Sequence, residues 1–241
     1  MGASMAWLAG IQSVAGPDHL SRDRPCQDFG AFKILKDQSI VAVVSDGAGS
    51  AKYGGQGAQL TVETALKILE TGVADQFVPR VQARLTKEAM KLSADLSDFA
   101  CTCVAIVASS TQMTVFQVGD GFAVARFEED YELLVSPHKG EHINETCFIT
   151  DKDAAQVIQK KQFNRLPKFI SIATDGLENV ALFYQTWKPH KGFFSPLDQY
   201  INKTNRQKDA AHEIESFLAS PKLREKSSDD KTLFICGWQE Q

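Results

Sequence analysis

The sequence has few cysteines and no C-x-x-C pair: Cys26, Cys101, Cys103, Cys147 and Cys236 are the five in its 241 residues. An odd, scattered set excludes a disulfide framework or a zinc finger and implies reduced thiols in a cytoplasmic protein. No apolar run approaches the roughly 20 residues of a membrane span. The opening MGASMAWLAGIQSVAG lacks the basic stretch and long apolar stretch of a secretory leader. No repeat, low-complexity tract or linker breaks the chain, so residues 1–241 are expected to form a single domain. A basic field is missing too. Lys and Arg number 26 against 30 Asp and Glu, a net charge of −4, which argues against a nucleic-acid partner.

What is present is an ordinary globular composition, 43% hydrophobic and 23% charged. Residues 5–15 and 29–45 read as strands, and Val41–Val44 is an apolar, β-branched run that stops at Ser45–Asp46–Gly47. Residues 56–70 predict a helix, with Ala58, Val62, Ala65, Leu66 and Leu69 on one face. Residues 74–95 predict a second, carrying Val78, Val81, Leu85 and Leu92. Four short strands follow in CTCVAIVAS, QMTVFQVGD, GFAVARFEE and YELLVS. A short helix is expected over 152–160, a strand in KFISIAT, a turn at Phe193–Pro196, an amphipathic helix over 207–218 and a closing strand in KTLFICGW. His138 and His142 fall in a polar stretch and are expected at the surface. Helices between and after strand groups, without regular alternation, predict an α+β layered domain of antiparallel sheets with helices outside.

Three apolar strands end in Asp-Gly: VAVVSDG, TVFQVGDG and ISIATDG. Asp229–Asp230 stands just before the last strand, and Asp28 just before FGAFKIL. Any one Asp-Gly is ordinary turn chemistry. As a set, on neighbouring strands, these carboxylates would converge at one edge. Two unit charges 4–5 Å apart repel by roughly 3–4 kcal/mol at an effective dielectric of 20. Such a group needs counter-charge, and oxygen ligands without a Cys or His cluster select magnesium or manganese over zinc.

In order, and over nearly the whole chain, these motifs resemble those of the type 2C metal-dependent protein phosphatases, with the shorter bacterial members most similar. RPCQD ending at Asp28 resembles the opening acidic motif. Asp46-Gly47-Ala48-Gly49-Ser50 resembles Asp-Gly-x-Gly, and Ala100-Cys101-Thr102 resembles Gly-x-Thr. Gly119-Asp120-Gly121 resembles Gly-Asp-Ser, Ala173-Thr174-Asp175-Gly176-Leu177 resembles Ser-Asp-Gly-Leu, and Asp229-Asp230-Lys231-Thr232 resembles Asp-Asn-x-Thr. The resemblance implies a four-layer α-β-β-α sandwich of two antiparallel sheets flanked by helices. It implies a centre of two tightly bound Mg2+ or Mn2+ ions with a possible third. Asp46 would bridge the pair, the Gly47 carbonyl would ligate one ion, and Asp175 and Asp229 the other. Asp28 would act through waters, and Asp120 would help hold the third ion. The implied activity is hydrolysis of phosphoserine and phosphothreonine in proteins by a water bridging the two ions, with a cognate Ser/Thr kinase as the opposing partner and no membrane involved.

The sequence departs from the family in places. Asp23 stands where many members place a phosphate-gripping Arg; Arg22 and Arg24 flank it and are the candidates to replace it. Gln27 stands where some members have a ligating Glu, and Ala48 where some have a His general acid. His19 is a candidate acid or phosphate contact. Asp229 is the expected ligand of its pair, and a slip of one residue would substitute Asp230. Two alternatives stay open: a catalytically weak regulatory module of the same fold, and a phosphatase of small metabolites.

Overall fold

The computed structural model describes residues 5–72, 76–137, 146–204 and 207–240. His138 and His142 lie outside them. The elements run β1 (Met5–Val14), α1 (Pro17–Leu20), β2 (Asp28–Ile34), β3 (Ile40–Asp46), α2 (Gly54–Glu70), α3 (Phe77–Lys91), β4 (Cys103–Ala108), β5 (Met113–Val118), β6 (Phe122–Arg126) and β7 (Tyr131–Val135). Then come α4 (Ala154–Val157), β8 (Gln159–Phe163), β9 (Phe169–Ala173), α5 (Glu178–Ala181), β10 (Leu182–Phe183), β11 (Lys188–Pro189), α6 (Lys191–Lys203), α7 (Gln207–Leu218), α8 (Pro221–Arg224) and β12 (Lys231–Glu240).

Two antiparallel five-stranded sheets form, ordered β1-β12-β9-β6-β7 and β2-β3-β4-β5-β8. Strand β3 shows why they stack. Its Ile40, Ala42 and Val44 bury against the other sheet with Val104, Ile106, Ile172 and Phe234. Its Val41 and Val43 point the other way, onto Ala58, Val62 and Ala65 of α2. A strand covered on both faces reads as an unbroken apolar run rather than an alternating one. The far face of the first sheet packs Leu8, Phe122 and Leu233 against Phe194 and Ile201 of α6 and Ile214 and Leu218 of α7. The layers are therefore helix, sheet, sheet, helix. Cys101 and Cys103 are buried on one face of the β4 region, in the core under α2 and α3.

Three expectations change. The helix expected over 74–95 ends at Lys91; Ser93 turns left-handed (φ 51°) and Leu92 is left in solvent. The helix expected over 152–160 is only α4, after which β8 joins the edge of the second sheet beside β5. The QKKQF of β8 is polar because an edge strand with one face in solvent has little to bury. The turn expected at Phe193–Pro196 is the interior of α6, with Pro196 inside the helix. The buried stripe Phe194, Leu197 and Ile201 at helical spacing outweighs one missing donor.

Helix α6 is fastened by an ionic network. Asp198, 5% exposed, accepts from Arg126 Nε at 2.5 Å and Nη2 at 3.0 Å, from Tyr131 Oη at 2.8 Å and from Asn202 Nδ2 at 2.6 Å. Removing one partner of such a group strands the other charge away from water. Asp198→Ala is expected to cost about 3 kcal/mol in urea unfolding, and a loss near zero would show the network to be idle.

Candidate active site

Antiparallel pairing of β2 with β3 sets Asp28 directly opposite Asp46. The Asp46 end of β3 is tied to the next strand: its amide donates to Thr102 Oγ1 at 3.1 Å, and its carbonyl accepts from the Thr102 amide at 2.8 Å. Gly47 must be glycine. A Cβ there would lie 2.3 Å from the Gly54 carbonyl carbon, where the first turn of α2 crosses the strand end.

The first sheet brings its own carboxylates to the same end. Asp175 follows β9, Asp229 and Asp230 precede β12, and Asp120 sits between β5 and β6, where the chain passes from one sheet to the other. Thr174 joins the sheets. Its hydroxyl donates to Asp28 Oδ2 at 2.7 Å and accepts from the Thr232 amide at 2.9 Å. Asp28 Oδ1 is buried and receives no amide or hydroxyl donor, and the Asp28 carboxyl lies in hydrogen-bonding contact with that of Asp46.

Burial and crowding set the electrostatics. Burial lifts the Asp28 carboxyl to about 7, with the Asp230 charge adding to it and the Thr174 hydroxyl opposing. Asp46 is held well above the ordinary carboxylate range, first by burial and then by the charges of Asp28, Asp175 and Asp229. Burial, followed by Asp120, Asp229 and Asp28, lifts Asp175 to about 8. Carboxylates from both sheets thus feel one another, as the strand-end pattern requires.

The two members of the Asp229–Asp230 pair are used differently. Asp230, 2% exposed, accepts from the Gly16 amide at 2.7 Å, the Gln27 amide at 2.6 Å and His19 Nδ1 at 2.8 Å. It locks the loop before β2 to the start of β12. Asp229 is exposed, and its carboxylate accepts only the Asp230 amide at 2.8 Å among the described contacts. Asp120 accepts from Thr146 Oγ1 at 2.8 Å. His19 is thus tied by one nitrogen to Asp230. Arg22 and Arg24 sit exposed on the loop after α1, where both amides donate to the His19 carbonyl. Among the described residues, neither guanidinium has a hydrogen-bonded or ionic partner.

Two neighbours were invisible in the sequence. Lys231 is buried at the first position of β12, with Nζ 2.5 Å from the Asp229 carbonyl oxygen. Glu178 is buried in α5 and adds its charge to those raising Asp175. A lysine opening a strand and a glutamate after a turn carry no pattern that signals burial.

Among the described residues, no three His, Cys, Asp or Glu side chains stand as a ready-made cluster around one ion. The donors nonetheless suit a hard cation held partly through water. They are all oxygens, one buried carboxylate oxygen receives no amide or hydroxyl donor, and Asp46 is crowded by three like charges. A measurable consequence follows from the protons that stand in for such a charge. Between the ordinary Asp value of 3.8 and about 8, the folded metal-free chain keeps protons that the unfolded chain has released. Its stability should therefore fall as pH rises through that window. Thermal unfolding in EDTA should drop by several degrees from pH 5 to pH 8, and added Mn2+ should raise Tm most at pH 8. A metal-free Tm that climbs over that range would contradict the crowding.

The profile described as Protein phosphatase 2C matches residues 15–219. The chain is 34% identical to serine/threonine-protein phosphatase 3 of Escherichia coli strain K12, over 98% of this chain and all of that one. Its fold is similar to that of the catalytic domain of the phosphatase PstP in complex with two manganese ions, at TM-score 0.69 and 12% identity over 98% of this chain and 100% of that one. It is also similar to Staphylococcus aureus Stp1, at TM-score 0.66 and 15% identity over 98% and 97% of the chains. With the strand-end motifs, the two stacked antiparallel sheets and a full-length relative all agreeing, this chain belongs to the protein phosphatase 2C family.

Proposed function

We propose that the chain is a metal-dependent serine/threonine phosphoprotein phosphatase that works as one catalytic unit over its length. The observation that carries this reading is the meeting of Asp28, Asp46, Asp175 and Asp229 across two sheets, with Asp46 raised by the other three. Asp46 and the Gly47 carbonyl, Asp175 and Asp229 are the proposed direct ligands, Asp28 acts through water, and Asp120 serves a third, weaker ion. Divalent cations bound there would supply Lewis-acid charge and a more acidic water, the chemistry that phosphomonoester hydrolysis requires.

The chain's own residues prepare the site. Thr174 fixes Asp28 by one oxygen and leaves the other to accept from a water. Asp230 is spent on three hydrogen bonds, which favours Asp229 as the ligand of that pair. Arg22 and Arg24 are proposed to reach the incoming phosphate from the loop after α1. His19 is the weaker candidate for that contact, because Asp230 already holds it. Mg2+ and Mn2+ are both proposed to serve. A cytoplasmic location and an opposing Ser/Thr kinase complete the reading. All five cysteines are free, and no described helix is long and apolar enough to cross a membrane.

The test is phosphate release from para-nitrophenyl phosphate and a phosphothreonine peptide with Mn2+, Mg2+ or EDTA. Metal-dependent release is expected from the wild type, with a loss of at least about 100-fold in Asp175→Asn. No release from the folded wild type under either metal would favour the regulatory module, and a strong preference for small phosphomonoesters would favour the metabolite phosphatase. A second comparison separates the acidic pair. Asp229→Asn should weaken Mn2+ binding with little change in metal-free Tm, whereas Asp230→Asn should lower the metal-free Tm. The reverse pattern would make Asp230 the ligand.

A further inference from the structure

Beside Asp28 a cleft of about 360 Å³ runs between the segment that enters β2 and the start of α2. One wall carries Gln27 and Asp28, the other Lys52, Tyr53, Gln56 and Gln59. We propose that this cleft is a substrate subsite for an acidic side chain next to the phosphorylated residue, with Lys52 as the group that reads its charge. The inference rests on the phosphatase reading and goes beyond it by naming a sequence preference.

Three observations carry it. First, the cleft and the proposed reaction centre share Asp28, which lines the cleft at the start of β2 while its carboxylate is bonded to Thr174. A substrate backbone advances at most about 3.6 Å per residue, so the side chains flanking the phosphoresidue are the ones available to a cleft that shares Asp28 with the reaction centre.

Second, Lys52 is exposed yet held in place. Its Nζ lies 5.0 Å from the centroid of the Tyr53 ring. That ring stacks at 5.0 Å and 26° on Phe99, which is wholly buried. The Tyr53 amide is anchored as well, donating to the Asp98 carbonyl at 2.7 Å. A cation resting on an anchored aromatic face loses less freedom on meeting an anion than a free lysine does.

Third, the charge of Lys52 is not used elsewhere. Among the described residues it has no salt-bridge partner; of the other polar side chains lining the cleft, Gln27, Gln56 and Gln59 are neutral amides and Asp28 is bonded to Thr174. The first acid along α2, Glu63, accepts from Gln59 Nε2 at 2.9 Å. A basic side chain in the cleft would meet Lys52 as a like charge, and an acidic one would pair with it. The pairing gives the substrate's neighbouring acid a favourable place beside a reaction centre otherwise rich in carboxylates.

The experiment compares three phosphothreonine peptides that differ only in having Glu, Ala or Lys at the two positions flanking the phosphoresidue. Phosphate release is measured with Mn2+ for the wild type, Lys52→Ala and Lys52→Glu. In the wild type kcat/KM should rank Glu over Ala over Lys, by about threefold per step, the scale of an exposed ion pair. Lys52→Ala should level the three, and Lys52→Glu should reverse the order. An unchanged ranking in Lys52→Glu, or equal values in the wild type, would overturn the proposal. If the wild type hydrolyses none of them, the phosphatase reading has failed on its own. Fluorescence anisotropy with labelled copies of the same peptides then decides the subsite. The same ranking of affinities, reversed in Lys52→Glu, would sustain it, and affinities indifferent to Lys52 would overturn it.

Discussion

Like charges forced together at one end of a two-sheet sandwich are the constraint on which the rest of this molecule depends. Asp28 and Asp46 come from one sheet, Asp175 and Asp229 from the other; after burial, the charges of Asp28, Asp175 and Asp229 raise the proton affinity of Asp46, and those of Asp229 and Asp28 raise that of Asp175. Left alone, such a group would push the sheets apart at that end. The fold answers with hydrogen-bonded contacts around the rim. Thr174 bonds across the gap to Asp28, and Asp230 gathers three donors from the loop before β2. Gly176 lets the turn after β9 press against the Asp230 carbonyl, where a Cβ would sit at 1.9 Å. The rim around these carboxylates is held by hydrogen bonds.

Much of this was legible beforehand, and the reason is physical. Strand β3 buries both faces and so shows up as an apolar run, and each strand that delivers a carboxylate either runs into Asp-Gly or begins at or just after an Asp. The α2 stripe of Ala58, Val62, Ala65 and Leu69 had no competitor at another period. What escaped was decided by tertiary contact. Helix α6 looked like a turn because Pro196 is a strong local signal, yet Phe194, Leu197 and Ile201 are pulled into the core together. Strand β8 looked like a helix end because an edge strand with little to bury has no apolar alternation. Lys231, Glu178 and the partnership of His19 with Asp230 depend on which segments meet, and their spacings in sequence record nothing of it.

The departures from the family pattern now have a setting. Asp23 lies in a left-handed turn (φ 53°) between Arg22 and Arg24, whose amides both bond to the His19 carbonyl. Gln27 contributes its amide to Asp230 while its side-chain oxygen stays buried and unpartnered near Asp28. A neutral group in that position adds no repulsion to an already crowded set. Ala48 is buried and its amide is bonded to the Ala100 carbonyl at 2.9 Å, which fixes the loop leading from Gly47 towards α2.

The central claim is that cations, rather than protons, balance these carboxylates at neutral pH and above. Equilibrium dialysis against Mn2+ at pH 8, followed by metal analysis, tests it most directly for the wild type and Asp46→Asn. Manganese should remain with each wild-type chain, and the variant should lose most or all of it. A wild-type chain that retains no manganese, or an Asp46→Asn variant that retains the full complement, would contradict it.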